Sequence, residues 1–155
     1  MPGIRLHPNY HGYKLSDPVT IDLLSAATRR GLAVQIVLAM EDDRTQHRLM
    51  RVAPVDPTPI QNLAGGIKGI RLMLLNSSNN TSVPRNVYFD FAMREGPYAV
   101  VRAIASAGPD RVVFGSHSPL FYLESAAFKV KEAGLNETQV RAICETSPRS
   151  FLKKT

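Results

Sequence analysis

The chemistry-bearing residues of this chain recur at one kind of place, just after a run of apolar residues. "VVFGSHSPL", residues 112–120, shows the pattern most sharply. β-Branched and aromatic residues stop at Gly115-Ser116, His117 follows, and Pro119 opens an apolar helical pattern, so the stretch reads as a strand, a tight turn and a helix. The same arrangement puts His7 after "GIRL", Glu41-Asp42-Asp43-Arg44 after "LAVQIVL", Asn76 after "IRLMLL" and Asp90 near the end of "NVYFDF". Two further histidines, His11 and His47, follow the first and second of these runs. Imidazole serves both as a general base, with an ordinary pKa of about 6.5, and as a metal ligand. A carboxylate in an apolar strand, such as Asp90, needs a cation, a hydrogen-bond partner or an open strand mouth. Two imidazoles and one carboxylate would hold a metal with one position left for water. Metal candidates are therefore His7, His11, Glu41, His47, Asp90 and His117, not all at once. Asp90 and His117 are the candidate catalytic groups, and His11, Arg44 and Asn76 the candidate substrate contacts.

Each group also has a plainer reading. His117 can hydrogen-bond its own turn or cap the next helix, His7 can end a strand before Pro8, and His11 can pack between Tyr10 and Tyr13. The acidic cluster can be a solvated turn with Arg44 paired to one of its carboxylates, and Asn76 can form a turn. Cys144, the single cysteine, sits beside Ile143 in a helical pattern and reads as a small buried hydrophobe.

The elements that must position these groups alternate. Strands are expected over 3–8, 32–38, within 67–75, over 86–91 and over 111–114. Helices are expected over about 18–30, with Asp17 as N-cap, Pro18 at the first position and Gly31 as the stop. Others run briefly to about residue 64, over 96–107, over 119–133, and from an Asn136/Gln139 capping box until Ser147-Pro148 starts a last turn with Phe151 and Leu152. Alternating strands and helices argue for parallel βα units with right-handed crossovers. In such folds, polar groups at the carboxyl ends of the strands line the ligand-binding face.

Bulk properties narrow the class. A chain of 155 residues supports one domain with a real core. No apolar run approaches the roughly 18–20 residues that span a bilayer, and no basic-then-apolar leader opens the chain, so a cytoplasmic location and no membrane partner are expected. The net charge is +6, but the basic residues, among them Arg29-Arg30, Arg94 and Lys153-Lys154, are scattered without interleaved aromatics. A solvated basic surface is expected, and no nucleic-acid partner. No glycine-rich phosphate loop is present.

In sequence order, "GIRLHPNYHGYKL", "GLAVQIVLAMEDDR", "NVYFDFAM", "DRVVFGSHSP" and "AICETSPRSFL" resemble the amidohydrolase-related superfamily. These are metal-dependent hydrolases of TIM-barrel fold that include amidases, lactonases and some aromatic-acid decarboxylases. The resemblance implies a divalent metal, often zinc, whose bound water attacks a carbonyl. The family takes its ligands from a His-x-His on the first strand, single histidines after the fifth and sixth, and an aspartate after the last. Here "VQIVLAM" carries no histidine, Asn76 stands in the other histidine's place and His117 in the aspartate's. The matching segments begin near the family's fourth strand.

The expectation is thus an α/β fold, a partial TIM (β/α) barrel of about five parallel βα units corresponding to the C-terminal part of a barrel. Five strands cannot close an eight-stranded barrel, so the rest is expected from a second copy or from an N-terminal half. The function implied is hydrolysis of a C–N or C–O bond in a small carbonyl substrate by metal-activated water. The alternatives are a decarboxylase on the same scaffold and a non-catalytic binding protein or fragment descended from such an enzyme.

Overall fold

The structure, a computed structural model, describes residues 1–42, 44, 46–78 and 82–153. Five parallel strands form one sheet in sequence order: β1 (Gly3–Leu6), β2 (Ala33–Val37), β3 (Leu72–Leu75), β4 (Val87–Asp90) and β5 (Val112–Val113). Between and after them run α1 (Pro8–His11), α2 (Pro18–Arg29), α3 (Ile60–Gly66), α4 (Ala99–Ala107), α5 (Leu123–Glu132), α6 (Glu137–Arg141) and α7 (Ser147–Leu152). A π-helical turn, Ala142–Thr146, joins α6 to α7. Sequential parallel strands with flanking helices make this a partial (β/α) barrel.

The period-2 alternation of a strand divides the side chains between two layers. Val34, Ile36, Leu72, Leu74, Val87, Phe89 and Val112 point outward into the main core, where Leu24, Leu63, Val100 and Ala126 of the helices meet them. The inner face carries Ala33, Met73 and Val113, and Phe151 of α7 folds back over them. The registers place Arg5 beside Gln35, Gln35 beside Met73 and Met73 beside Tyr88 in one row. Arg5 Nε donates to Gln35 Oε1 at 2.9 Å, and the Tyr88 and Phe151 rings lie 5.3 Å apart. Arg71 anchors this closure, its guanidinium donating to the Phe151 carbonyl at 3.1 Å and also to the carbonyls of Lys153 and Gly31.

Several local expectations change in three dimensions. The helix expected to start at Pro119 begins instead at Leu123, because the segment after His117 turns once before entering α5. Asp17 does not cap α2 with its side chain; its Oδ2 accepts the Lys14 N–H at 2.8 Å. The loop after β1 contains the short helix α1. The Asn136/Gln139 capping box is present, with Asn136 Oδ1 accepting Gln139 N–H at 2.9 Å. Cys144 is exposed, since the π turn points Ile143 inward in its stead.

Phe151 is 1% exposed and carries much of the inner-face closure. Phe151→Ala is expected to cost about 3–5 kcal/mol by lost burial and a cavity, measured by urea denaturation of the full chain.

Candidate functional site

The carboxyl ends of the five parallel strands lie at the same end of the sheet, and residues at the ends of β3, β4 and β5 make direct contact. Asn76, just after β3, adopts φ 58°, and His117, after β5, adopts φ 55°. Among the described residues they are the two non-glycine residues with positive φ. That conformation is disfavoured for L-residues, least so for asparagine, and two such residues in contact mark a place where local strain is held by surrounding bonds. Asn76 is 3% exposed and makes three sets of contacts. Its backbone N–H donates to Asp90 Oδ1 at 2.9 Å, and its Nδ2 donates to Ala39 O at 2.7 Å. The same Nδ2 lies 3.0 Å from His117 Nδ1 and 3.3 Å from Nε2. His117 Nε2 in turn lies against the Met40 carbonyl oxygen, and Phe121 meets the ring edge-on with centroids 5.3 Å apart.

Asp90 ends β4 with its carboxyl buried. Burial pushes its pKa up to about 6, against the opposing pull of the Asn76 and Ala92 backbone N–H groups and the charges of Arg94 and Arg5. Gly115 is what makes room: a Cβ there would stand 2.6 Å from Asp90 Cβ and Oδ2. The strand of the "VVFGSH" segment stops at a glycine because the neighbouring strand's carboxyl occupies the space where a side chain would go.

Arg94, four residues after Asp90, was expected on a solvated basic surface and is instead 6% exposed. Its guanidinium stacks 4.5 Å from the Phe89 ring centroid and donates to Ser77 Oγ at 3.3 Å, while Nε has no hydrogen-bond partner. Burial lowers its pKa, and Asp90 draws it back up. Lys129 of α5 holds the same loop, donating from Nζ to Ala92 O at 2.8 Å and Arg94 O at 3.1 Å. The sequence carried one signal for Arg94, the requirement of Asp90 for a cation.

The remaining candidates lie around this centre. His7 faces Met40 Sδ through Nδ1 at 3.2 Å, and its pKa is lowered by burial first and then by the charges of Arg5, His11 and His117. His7, Asn76, Asp90 and His117 line a cavity of about 310 Å³ on the inner side of the strand ends. Asn76 is also part of a second cavity, of about 840 Å³, which Glu41, Asp42 and Arg44 line on the outer side. Arg44 pairs with Asp42 and, at 3.2 Å, with Glu95. The hydrogen bonds from Arg44 hold the Asp42 carboxyl down at about 2. The solvated-turn reading of that cluster thus describes Asp42 and Arg44; Asp43 lies outside the described residues. His11 is exposed on α1, 6.2 Å from the rings of His7 and Tyr13, and His47 is exposed with Nδ1 accepting the Leu49 N–H at 3.3 Å. Neither lines these two cavities.

Among the described residues the donor set does not make a three-ligand metal site. Among the described residues no three histidine, cysteine, aspartate or glutamate side chains converge, so the combination of two imidazoles and a carboxylate does not form. His117 turns both ring nitrogens to protein partners, and one Asp90 oxygen is taken by the Asn76 N–H.

No protein-family model and no curated protein sequence matches the chain. Solved structures do. A TIM-barrel protein from Bordetella bronchiseptica superposes with a TM-score of 0.71 at 15% identity, over 98% of this chain and 57% of that one. The likeness is one of fold. An amidohydrolase from Mycobacterium avium subsp. paratuberculosis gives 0.65 at 13% identity, over 98% of this chain and 52% of its own. A dihydroxybenzoic acid decarboxylase from a Polaromonas species, solved with bound manganese and 2-nitroresorcinol, gives 0.64 at 10% identity, over 90% of this chain and 55% of its own. The chain spans little more than half the length of each of these proteins. No helix among the described residues is long and apolar enough to cross a membrane.

Two outcomes follow from the buried carboxyl. Gly115→Ala forces a methyl into Asp90 and is expected to cost about 1–3 kcal/mol in a denaturant titration. The folded state also retains the Asp90 proton between the ordinary carboxyl value of 3.8 and about 6, where the unfolded chain has released it. Stability should therefore fall as pH rises through that window, by about 3 kcal/mol in total, and level off above it. Asp90→Asn should remove this slope from the pH dependence of the urea midpoint.

Proposed function

We propose that the chain forms the larger part of one barrel domain in an amidohydrolase-like enzyme that cleaves a C–N or C–O bond in a small carbonyl substrate. The observation that carries this reading is Asp90: a buried carboxyl at a strand end, pushed up to about 6, on the wall of a cavity of about 310 Å³. Near neutral pH it is mostly ionised yet basic enough to take a proton, the condition for general acid–base work. Asp90 accepts a proton from the water that attacks the carbonyl carbon and returns it to the departing nitrogen or oxygen. Asn76 and His117 fix the wall against which the substrate is oriented, and the fold likeness to an amidohydrolase supports the class. His7 is the remaining imidazole on that cavity, beside Met40. The zinc-activated water implied by the resemblance has no converging donor set among the described residues.

The same carboxyl favours a second reading, decarboxylation of a small aromatic acid. A group that stays protonated up to about pH 6 can deliver a proton to the carbon that loses carbon dioxide. Likeness to a dihydroxybenzoic acid decarboxylase supports it.

The test is turnover of a panel of lactones, amides and hydroxybenzoates by the full chain, with and without Asp90→Asn. The substitution is expected to lower kcat/KM at least about 100-fold while the circular dichroism spectrum is kept. Ring or amide cleavage identifies the hydrolase and carbon dioxide release the decarboxylase. Equal turnover by D90N rejects the acid–base assignment, and no turnover of any panel member rejects activity of this chain on its own.

A further inference from the structure

The position at which the resemblance sets an aspartate carries an imidazole whose two polar corners are both enclosed. Nε2 of His117 lies against Met40 O. A carbonyl oxygen only accepts, so Nε2 carries the proton. Nδ1 is left with its lone pair, 3.0 Å from Asn76 Nδ2, which stands farther, 3.3 Å, from Nε2. That amide nitrogen also donates to Ala39 O at 2.7 Å, which orients the Asn76 amide with its NH2 toward the carbonyl and the ring. Its two hydrogens have two acceptors, and the amide has no reason to turn over.

We infer that Asn76 is a positioning residue that holds His117 with its proton on Nε2 and the Nδ1 lone pair engaged, and that the resulting latch of Ala39, Met40, Asn76 and His117 closes these strand ends to a divalent cation.

Three observations converge on the latch. The two left-handed non-glycine residues are its two side-chain partners, so the backbone at both strand ends is bent in a way that brings these groups together. The group facing the His117 ring edge is an N–H donor, and a cation approaching that edge meets the positive end of the amide dipole instead of a lone pair. The carboxylate on the same cavity, Asp90, is tied to the backbone of the same asparagine at 2.9 Å and packed against Gly115, where even a methyl would not fit. Opening a coordination position would require breaking the Ala39 or Met40 contact and turning a side chain that is 3% exposed. The latch concerns the strand ends used in the proposed function but does not depend on turnover, and it is read by a separate measurement.

The experiment uses the full chain labelled with ¹⁵N-histidine, stripped with a chelator, in long-range ¹H–¹⁵N spectra at pH 7.5, before and after equimolar zinc chloride. The His117 signals are assigned by their loss in His117→Gln. The expected result is a protonated Nε2 and an unprotonated Nδ1 that zinc does not shift, with zinc far below one equivalent after gel filtration. A protonated Nδ1, or stoichiometric zinc that shifts the His117 nitrogens, overturns the inference. Asn76→Asp replaces the donor facing Nδ1 with an acceptor and is expected to bring a proton to Nδ1. An Nδ1 that stays unprotonated in N76D shows that Asn76 does not set the tautomer. Should N76D fail to fold, the wild-type spectra decide.

Discussion

One constraint organises this end of the molecule: an aspartate side chain must be kept inside, at the end of a strand whose other residues are buried or, at Tyr88, half-buried. A carboxyl withdrawn from water demands hydrogen-bond donors, a counter-charge and space, and each is supplied from a different element. The donor is the backbone of Asn76, bent into the left-handed region after β3. The charge is Arg94, itself buried over Phe89 and held through its loop by Lys129. The space is Gly115. The sequence features of three segments, "LNSS", "FDFAMRE" and "FGSH", are thereby answers to one electrostatic problem. The same answers bring β3, β4 and β5 into a fixed relation and leave His117 no freedom to reorient.

Much of the fold was legible because it rests on periodicity. Apolar runs marked all five strands, and turn residues marked the helix ends at Gly31, Gly108 and Gly134. The strand-end placement of His7, Asn76, Asp90 and His117 was legible for the same reason, since the residue after an apolar run is where the chain leaves the sheet. Convergence was not legible. Whether His11 and His47 reach the centre depends on the path of loops, and both loops carry them outward. Arg94 was misread because charge in a sequence says nothing about depth. Its burial depends on a carboxyl four residues earlier and a serine on the preceding strand end. The start of α5 at Leu123 instead of Pro119 shows a similar limit, because a proline marks a turn and a first helical position equally well.

The inner face poses the opposite problem to the strand ends. In a closed barrel this layer is packed by residues from every strand. Here five strands contribute, and the chain uses its own last helix as a partial substitute, with Phe151 laid against Met73, Val113 and Tyr88. Arg71 fastens that helix at its end through the Phe151 and Lys153 carbonyls and ties it to the turn after α2 through the Gly31 carbonyl. The outer core needs no such help, because helices cover it as in any βα fold.

The fastening by Arg71 sets a kinetic hierarchy. Helix α7 reaches the sheet through Phe151 and the Arg71 hydrogen bonds, and its release is a sub-global opening that need not await loss of the outer core. In amide exchange terms, the edge strand β5 would exchange through transient undocking of a single short helix, while β2 and β3, each flanked by strands on both sides, would exchange only with the whole. The C-terminal helix is thus the clock of the inner face, and the lifetime of one arginine's grip is its period.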